Sequence, residues 1–308
     1  MQQNKFDDFA EISLSTFNLK NINIDHTKAI VALGKEIEAE YEELNSRKVR
    51  EDRHKYFNIS NTEIEDYAER ILDLDNNRKV ICGIRHLGGQ VDQPFVNILS
   101  NFTTTKTELM ELYNFKLSKY FAPFKPKHLR YYSKNKIASN EIRNSYLVQN
   151  AATIKKGIQF DLEKDLNLIS PDNYDYYNNY KAEYEKFLMK NPNFKNIVQL
   201  NDLELMETSR KGGLLKTAEY KGETIGLIAG LKDDFLGKPA VYFIEILVNQ
   251  GWKRKGFAKA IQRKFINEVC QADEIVWGTI DMENQASIKT AKANLREEIR
   301  YENFMKLE

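Results

Sequence analysis

The chain has 308 residues, 42% hydrophobic and 30% charged, which supplies apolar material for one large domain or two ordinary ones. Its 46 Lys and Arg nearly cancel its 45 Asp and Glu, so no global field draws it to nucleic acid or to a membrane surface. No stretch approaches about 20 uninterrupted apolar residues, and the acidic start MQQNKFDDFAE does not read as a secretory leader. Cys82 and Cys270 stand far apart inside apolar runs, as buried thiols do in a reducing compartment, so a cytoplasmic protein is expected.

In chain order, Phe17–Ile24 reads as a short strand and Asp25–Arg47 as a helix capped by Asp25, with Ile30, Leu33, Ile37 and Tyr41 at helical spacing. Asn61–Leu74 follows as a second helix, on the capping pattern Asn61-Thr62-Glu63-Ile64-Glu65 and the face Ile64, Tyr67, Ala68, Ile71. Lys79–His86 and Pro94–Phe102 form an antiparallel pair around a glycine-rich turn. Thr105–Phe121 is a helix, His128–Ser133 a strand after the breaks at Pro123 and Pro126, and Asn140–Lys156 another helix.

The second half runs through the same order. Asp175–Met189 and Asp202–Arg210 are helical, Gly213–Tyr220 and Glu223–Leu231 make a hairpin around Lys221-Gly222, and Ala240–Val248 is a strongly apolar strand. Phe257–Cys270 is an amphipathic helix on Phe257, Ile261, Phe265 and Val269. Glu274–Asp281, Gln285–Leu295 and Ile299–Leu307 complete it as strand, helix and strand. An offset of about 145 residues relates the halves, pairing Asn140 with Asn284 and Met110 with Gly256, so the chain reads as two diverged copies of one α/β fold (of the α+β type), 1–159 and 160–308.

Chemistry concentrates where the strand ending at Val248 enters the helix at Phe257. The turn carries Lys253, Arg254, Lys255 and Gly256, with Lys259 one turn on. A basic, glycine-bearing turn opening a helix presents unpaired N–H groups and the positive end of the helix dipole to one point, which suits a phosphate. The spacing is neither a Walker loop nor a dinucleotide fingerprint.

Val248, Trp252 and Lys253-x-x-Gly256-x-Ala258 resemble the acyl-CoA motif [Gln/Arg]-x-x-Gly-x-[Gly/Ala] of the GNAT superfamily of N-acetyltransferases, with Lys in place of Gln or Arg. Asn284-Gln285-Ala286-Ser287 resembles the family's Asn-x-x-[Ala/Ser] helix start, though Asn284 serves equally as a plain helix cap. The resemblance covers about residues 160–308. It implies two GNAT-like domains, each with a mixed, mostly antiparallel sheet flanked by helices, and acetyl-CoA bound by Leu247, Val248, Lys253, Arg254, Lys255, Gly256, Phe257, Ala258, Lys259, Asn284 and Ser287. It also implies direct acetyl transfer to a primary amine, carried by a small molecule or a protein, with a backbone N–H of Leu247 or Val248 polarising the carbonyl.

Glu245, the one acidic side chain in an apolar strand, is the expected general base, with Asp281 as a weaker alternative. Where the family places a proton-donating tyrosine this chain has Ala291, and where it closes the helix with Gly-Phe this chain has Leu295-Arg296. Tyr242 and Tyr301 remain possible acids. The first half lacks the glycine and is expected not to bind CoA. His26, His54, His86 and His128 show no metal-ligand spacing, so no metal is expected. A monomer or homodimer without nucleic-acid or membrane partners follows, against two alternatives: a CoA-binding scaffold without turnover, and a Fem-type aminoacyl transferase, which would need a basic groove for tRNA.

Overall fold

A computed structural model describes residues 5–137 and 141–307. The elements are α1 (Asp7–Ser15), α2 (His26–Asn45), α3 (Arg47–Phe57), β1 (Arg70–Asp73), β2 (Lys79–His86), β3 (Pro94–Ser100), α4 (Lys106–Leu112), α5 (Ser118–Phe121), β4 (His128–Ser133), β5 (Ile142–Asn150) and α6 (Ala151–Lys155). They continue as β6 (Leu166–Ile169), α7 (Tyr176–Lys190), α8 (Leu203–Lys211), β7 (Leu215–Tyr220), β8 (Glu223–Asp234), β9 (Pro239–Val248), α9 (Phe257–Val269), β10 (Ile275–Asp281), α10 (Gln285–Ala293) and β11 (Glu297–Lys306). No described helix is long and apolar enough to cross a membrane.

The chain forms two compact units, one of residues up to 18, 24–143 and from 300 on, the other of 19–23 and 144–299. The division therefore falls at 143/144 and again at 299/300, not once at 159/160. Strand pairing is the reason. β5 pairs with β10 from Asn150↔Ile275 to Asn144↔Asp281, which ties it to the second unit. Tyr301 to Lys306 pair with Ser133 to His128 of β4, which ties the chain's last residues to the first unit.

In the first unit the strand order is β1-β2-β3-β4-β11, antiparallel except for β3 and β4, which run parallel over Phe95–Asn97 and His128–Arg130. Its core gathers Tyr67, Val80, Cys82, Ile84, Val96, Ile98, Leu117, Phe121 and Leu129. In the second unit the order is β5-β10-β9-β8-β7-β6, again antiparallel except for one parallel pair, β9 with β10. α9 packs on one face of this sheet through Phe257, Ala260, Ile261, Phe265 and Ile266, each at most 3% exposed, because those positions fall on one helical stripe. α7 and α8 contribute Tyr176, Tyr180, Tyr184 and Met206 to a second core with Leu227 and Leu247. Each unit is thus a mixed, mostly antiparallel sheet flanked by helices, and β1-β2-β3-α4-β4 repeats the order of β7-β8-β9-α9-β10.

Three expected elements differ. Residues 17–24 form turns, while α1 and α3 are additional helices. Within 61–74 only a short 3-10 turn, Ile64–Tyr67, is helical, because Arg70–Asp73 pair with Lys79–Cys82 as β1. Residues 142–150 are strand β5, and only Ala151–Lys155 are helical. Asn140 lies outside the described residues.

α10 ends in a paired turn: the N–H of Leu295 donates to the Lys292 carbonyl (2.9 Å) and that of Arg296 to the Ala291 carbonyl (3.1 Å). This closure sets Leu295 at φ +62°, the left-handed region normally given to glycine. Leu295 is 46% exposed, so it buries little in return. Leu295→Gly should therefore stabilise the second unit by about 1 kcal/mol; chemical denaturation checks this, and a destabilised variant would mean the side chain matters more than the strain.

Candidate active site

β9 leaves its ladder at Asn249, whose N–H donates to the Ile225 carbonyl at 2.7 Å. A single 3-10 turn, Gln250–Trp252, follows, and its Trp252 ring packs against Tyr220 and Phe257, fixing the turn on the core. The backbone then takes left-handed conformations at Arg254 (φ +64°) and Gly256 (φ +88°) before α9 begins. A β-carbon at Gly256 would meet only ordinary contacts, so its backbone angle, not space, calls for glycine.

α9 has no side-chain cap. Its first amides have no intrahelical partner by geometry, and none of the amides of residues 253–258 meets an acceptor outside α9 among the described residues. Arg254 and Lys255 are exposed beside them. The ammonium of Lys255 lies 4.7 Å from the Trp252 ring centre and that of Lys259 4.6 Å from the Phe160 ring. Phe257 and Ala258 contribute backbone, Phe257 with its side chain in the core. Exposed cations beside amides at the start of a helix are the kind of arrangement that suits an anion.

Lys253 points elsewhere. Its ammonium sits 3.6 Å from the centre of the Phe187 ring on α7, and burial lowers its pKa against the opposing pull of Glu245 and Glu183. Its side chain serves the neighbourhood of Glu245, and its backbone serves the turn.

Glu245 owes its position to a bulge. In the β8–β9 ladder Ala229 faces Glu245 while Gly230 faces Phe243, so Ile244 is an extra residue. Val241 and Phe243 lie in the core under α9, and simple alternation would put Glu245 there too. The extra residue reverses the alternation, so Ile244 and Leu247 pack with α7 and α8, and Glu245 points to the same helices.

There the Tyr180 hydroxyl donates to Glu245 Oε2 at 2.7 Å, and the Ile246 N–H donates to Oε1 at 2.9 Å. Asn201, between α7 and α8, ties the arrangement together. Its N–H donates to the Tyr180 hydroxyl (3.2 Å), which leaves the phenolic proton for Glu245, and its Nδ2 donates to the Ile244 carbonyl (3.2 Å) and, at 3.4 Å, to Glu245 Oε2. Burial raises the Glu245 pKa; the Tyr180 and Ile246 bonds and the Lys253 charge oppose it. A carboxylate so placed takes a proton more readily than a solvated one. Tyr184, 4% exposed, stands in the same field, its buried hydroxyl without a hydrogen-bond partner among the described residues.

β9 and β10 pair only through Ala240↔Ile275, Val241↔Val276 and Tyr242↔Trp277, and part beyond that point. Because Asn249 donates into the ladder with β8 and alternate N–H groups face opposite edges, Leu247 also faces β8 while Val248 faces the open edge. Of the two expected carbonyl-polarising amides, only Val248's faces the parting. Asn284 caps α10 by accepting from the Ser287 N–H at 3.2 Å, and that bond occupies both. Asp281 accepts from the Glu283 N–H. Tyr242 shares a hydrogen bond with Thr279 at 3.1 Å, Tyr301 belongs to the first unit opposite Ser133, and Ala291 is fully buried with Leu147 and Ile288.

In the first unit the position matching Gly256 is Thr105, the N-cap of α4, and not Met110, which lies inside that helix. Thr105 Oγ1 accepts from the Glu108 N–H (3.2 Å), and the Glu108 carboxylate accepts from the Thr105 N–H (2.7 Å). A carboxylate of the chain thus holds the place an anion would need.

Tyr180, Asn201 and Arg296 are not among the residues to which the sequence motifs point. Tyr176, Tyr180 and Tyr184 at four-residue intervals were the legible signal for the first, the break from Gly-Phe for the last, and nothing local marked Asn201.

The second unit is an α/β fold with parted central strands, a basic glycine-bearing turn before α9 and a partly buried carboxylate. Residues 173–294 match the sequence profile of the acetyltransferase (GNAT) family, and this part of the chain is a domain of that family, whose reaction class is acyl transfer. Among solved structures, a GNAT-family acetyltransferase from Colwellia psychrerythraea is 10% identical, with a TM-score of 0.49 over 85% of this chain and 97% of its own. A GCN5-related N-acetyltransferase from Sphaerobacter thermophilus is 12% identical, with a TM-score of 0.44 over 73% and 75%. A Drosophila protein is 11% identical, with a TM-score of 0.42 over 98% and 95%. A comparison with curated proteins finds no match.

Tyr180→Phe removes a bond that favours the ionised carboxylate, so the Glu245 pKa should move further up. Carboxyl infrared difference spectra over a pH series should record that shift, and an unmoved titration would separate Tyr180 from Glu245 electrostatics.

Proposed function

We propose that the second unit is an acetyl-CoA-dependent N-acyltransferase that serves a primary amine by direct attack in a ternary complex. The observation that carries this reading is the uncapped start of α9 behind Gly256, where the amides of residues 253–258 meet no acceptor outside α9 among the described residues. The thioester supplies the activated acyl group. Arg254, Lys255 and the α9 amides hold the diphosphate, and the Val248 N–H, on the parting edge of β9, is placed to favour charge developing on the acyl oxygen. Glu245 takes the proton that the amine nitrogen sheds as its bond to the acyl carbon forms, and the sulfur leaves with the electron pair of the broken C–S bond.

Tyr180 and Asn201 hold the Glu245 carboxylate and the bulge beneath it. No side chain is assigned as acid, since Ala291 is buried and Tyr242 is engaged with Thr279. We read the first unit as a related copy that has lost CoA binding, on the strength of the Thr105–Glu108 cap. The protein is proposed to be cytoplasmic, a monomer or homodimer, acting on an amine of a small molecule or a protein. A second reading, a CoA-binding module without turnover, is favoured by Ala291 in place of a proton donor.

Calorimetry with acetyl-CoA, joined to thiol release on an amine panel, decides between them. Gly256→Trp should abolish acetyl-CoA binding with the fold intact by circular dichroism, and unchanged affinity would sink the placement of the cofactor. Glu245→Gln should keep binding and lower kcat roughly 10²-fold or more. Binding to the wild type with no turnover on any amine would establish the module instead.

A further inference from the structure

Arg296 follows α10 directly, where the family resemblance would place phenylalanine, and Leu295 holds the left-handed turn that aims it inward. It is 3% exposed. Its Nε and Nη2 both donate to one acceptor, the Leu147 carbonyl, at 3.0 and 2.8 Å. Its guanidinium carbon lies 5.0 Å from the centre of the Phe243 ring. A β-carbon on Gly278 would stand 3.0 Å from Nη2 and 3.5 Å from the Phe243 carbonyl oxygen, so the absent side chain at 278 makes room for the guanidinium. Phe243 and Gly278 are the first residues beyond the last β9–β10 pair, Tyr242↔Trp277. Arg296 therefore occupies the apex at which the two central strands part.

Its charge has no counterpart. Among the described residues no carboxylate forms an ion pair with Arg296, and its hydrogen bonds are the two from Nε and Nη2 to the Leu147 carbonyl. The contrast lies in the same unit. Arg263, similarly buried, is matched by the buried Glu163 at 3.2 Å. Burying a cation alone is strongly disfavoured, and a planar guanidinium with free N–H groups is shaped for a carboxylate.

The sheet face decides which ligand brings that carboxylate. Phe243 packs on Phe265 of α9, and Val276, on the same side of β10 as Gly278, joins the α9 core. Arg296 thus lies on the α9 side with the anion-receiving turn, while Glu245 faces α7 and α8 across the sheet. The acyl donor comes to the first side and the proton acceptor to the other.

We propose that Arg296 is a specificity residue for the acyl group, and that the preferred donor is a CoA monothioester of a dicarboxylic acid, its terminal carboxylate held by the guanidinium. This rests on the acyl-CoA reading above. It alters neither the bond formed nor the bond broken, since the distal carboxylate takes no part in the transfer.

Calorimetry on the full chain with succinyl-CoA, acetyl-CoA and free CoA tests it. The wild type should bind succinyl-CoA at least tenfold more tightly than acetyl-CoA. Arg296→Met should bring that ratio to about one while leaving acetyl-CoA affinity within about threefold, and Arg296→Lys, which keeps the charge without the fork, should retain part of it. If Arg296→Met does not fold, the wild-type ratio and the lysine variant decide. Equal or weaker binding of succinyl-CoA by the wild type, with acetyl-CoA bound, overturns this inference alone, as does a ratio that survives in Arg296→Met. Binding of neither thioester overturns the acyl-CoA reading and this inference with it.

Discussion

One extra residue in β9 governs the second unit. A ladder of antiparallel strands sends successive side chains to opposite faces by strict alternation, and the single insertion at Ile244 reverses that alternation part-way along the strand. Before it, Val241 and Phe243 serve the layer under α9; beyond it, Leu247 serves the layer under α7 and α8, and Glu245 goes with it. The bulged carbonyl of Ile244 is met by Asn201, which also holds Tyr180 and Glu245, so backbone irregularity and carboxylate are fixed by the same side chain. The position of the acid is thus a consequence of how the strand is threaded, and its raised pKa follows from desolvation that the Tyr180 and Ile246 hydrogen bonds and the Lys253 charge only partly offset.

The two helix starts, α4 and α9, make the electrostatic logic of the fold visible. Both follow the parallel member of a sheet and both expose amides toward the end of a strand. At α4 a threonine and a glutamate of the chain satisfy those amides, and the helix dipole is neutralised internally. At α9 a left-handed glycine replaces the cap and no acidic side chain stands in the first turn, an arrangement that suits an anionic ligand. The same architecture is closed in one unit and open in the other through a few side chains.

Much of this was legible locally. Strands Lys79–His86 and His128–Ser133 fall where alternation and breaker residues put them, and the helix on Phe257, Ile261 and Phe265 follows from its spacing. Asp25 and Asp202 cap their helices as their side-chain chemistry favours. The failures share one cause. Ile64, Tyr67, Ala68 and Ile71 repeat at helical spacing, yet the pairing of Arg70–Asp73 with Lys79–Cys82 outweighs that local preference. Residues 142–150 read as helix until β10, more than a hundred residues later, supplies a partner from Asn144 to Asn150.

The sequence by itself determined the basic, glycine-bearing turn before α9, because a left-handed glycine, a cluster of cations and an amphipathic helix start all act within a few residues of one another. It also singled out Glu245 as the one acid in an apolar strand. Only the tertiary structure decided which way that acid points, since a bulge is defined by the count of residues on two strands and not by one. Only the tertiary structure placed Arg296 at the parting of β9 and β10, because a buried charge is defined by neighbours that come from Leu147, Phe243 and Gly278, far apart along the chain.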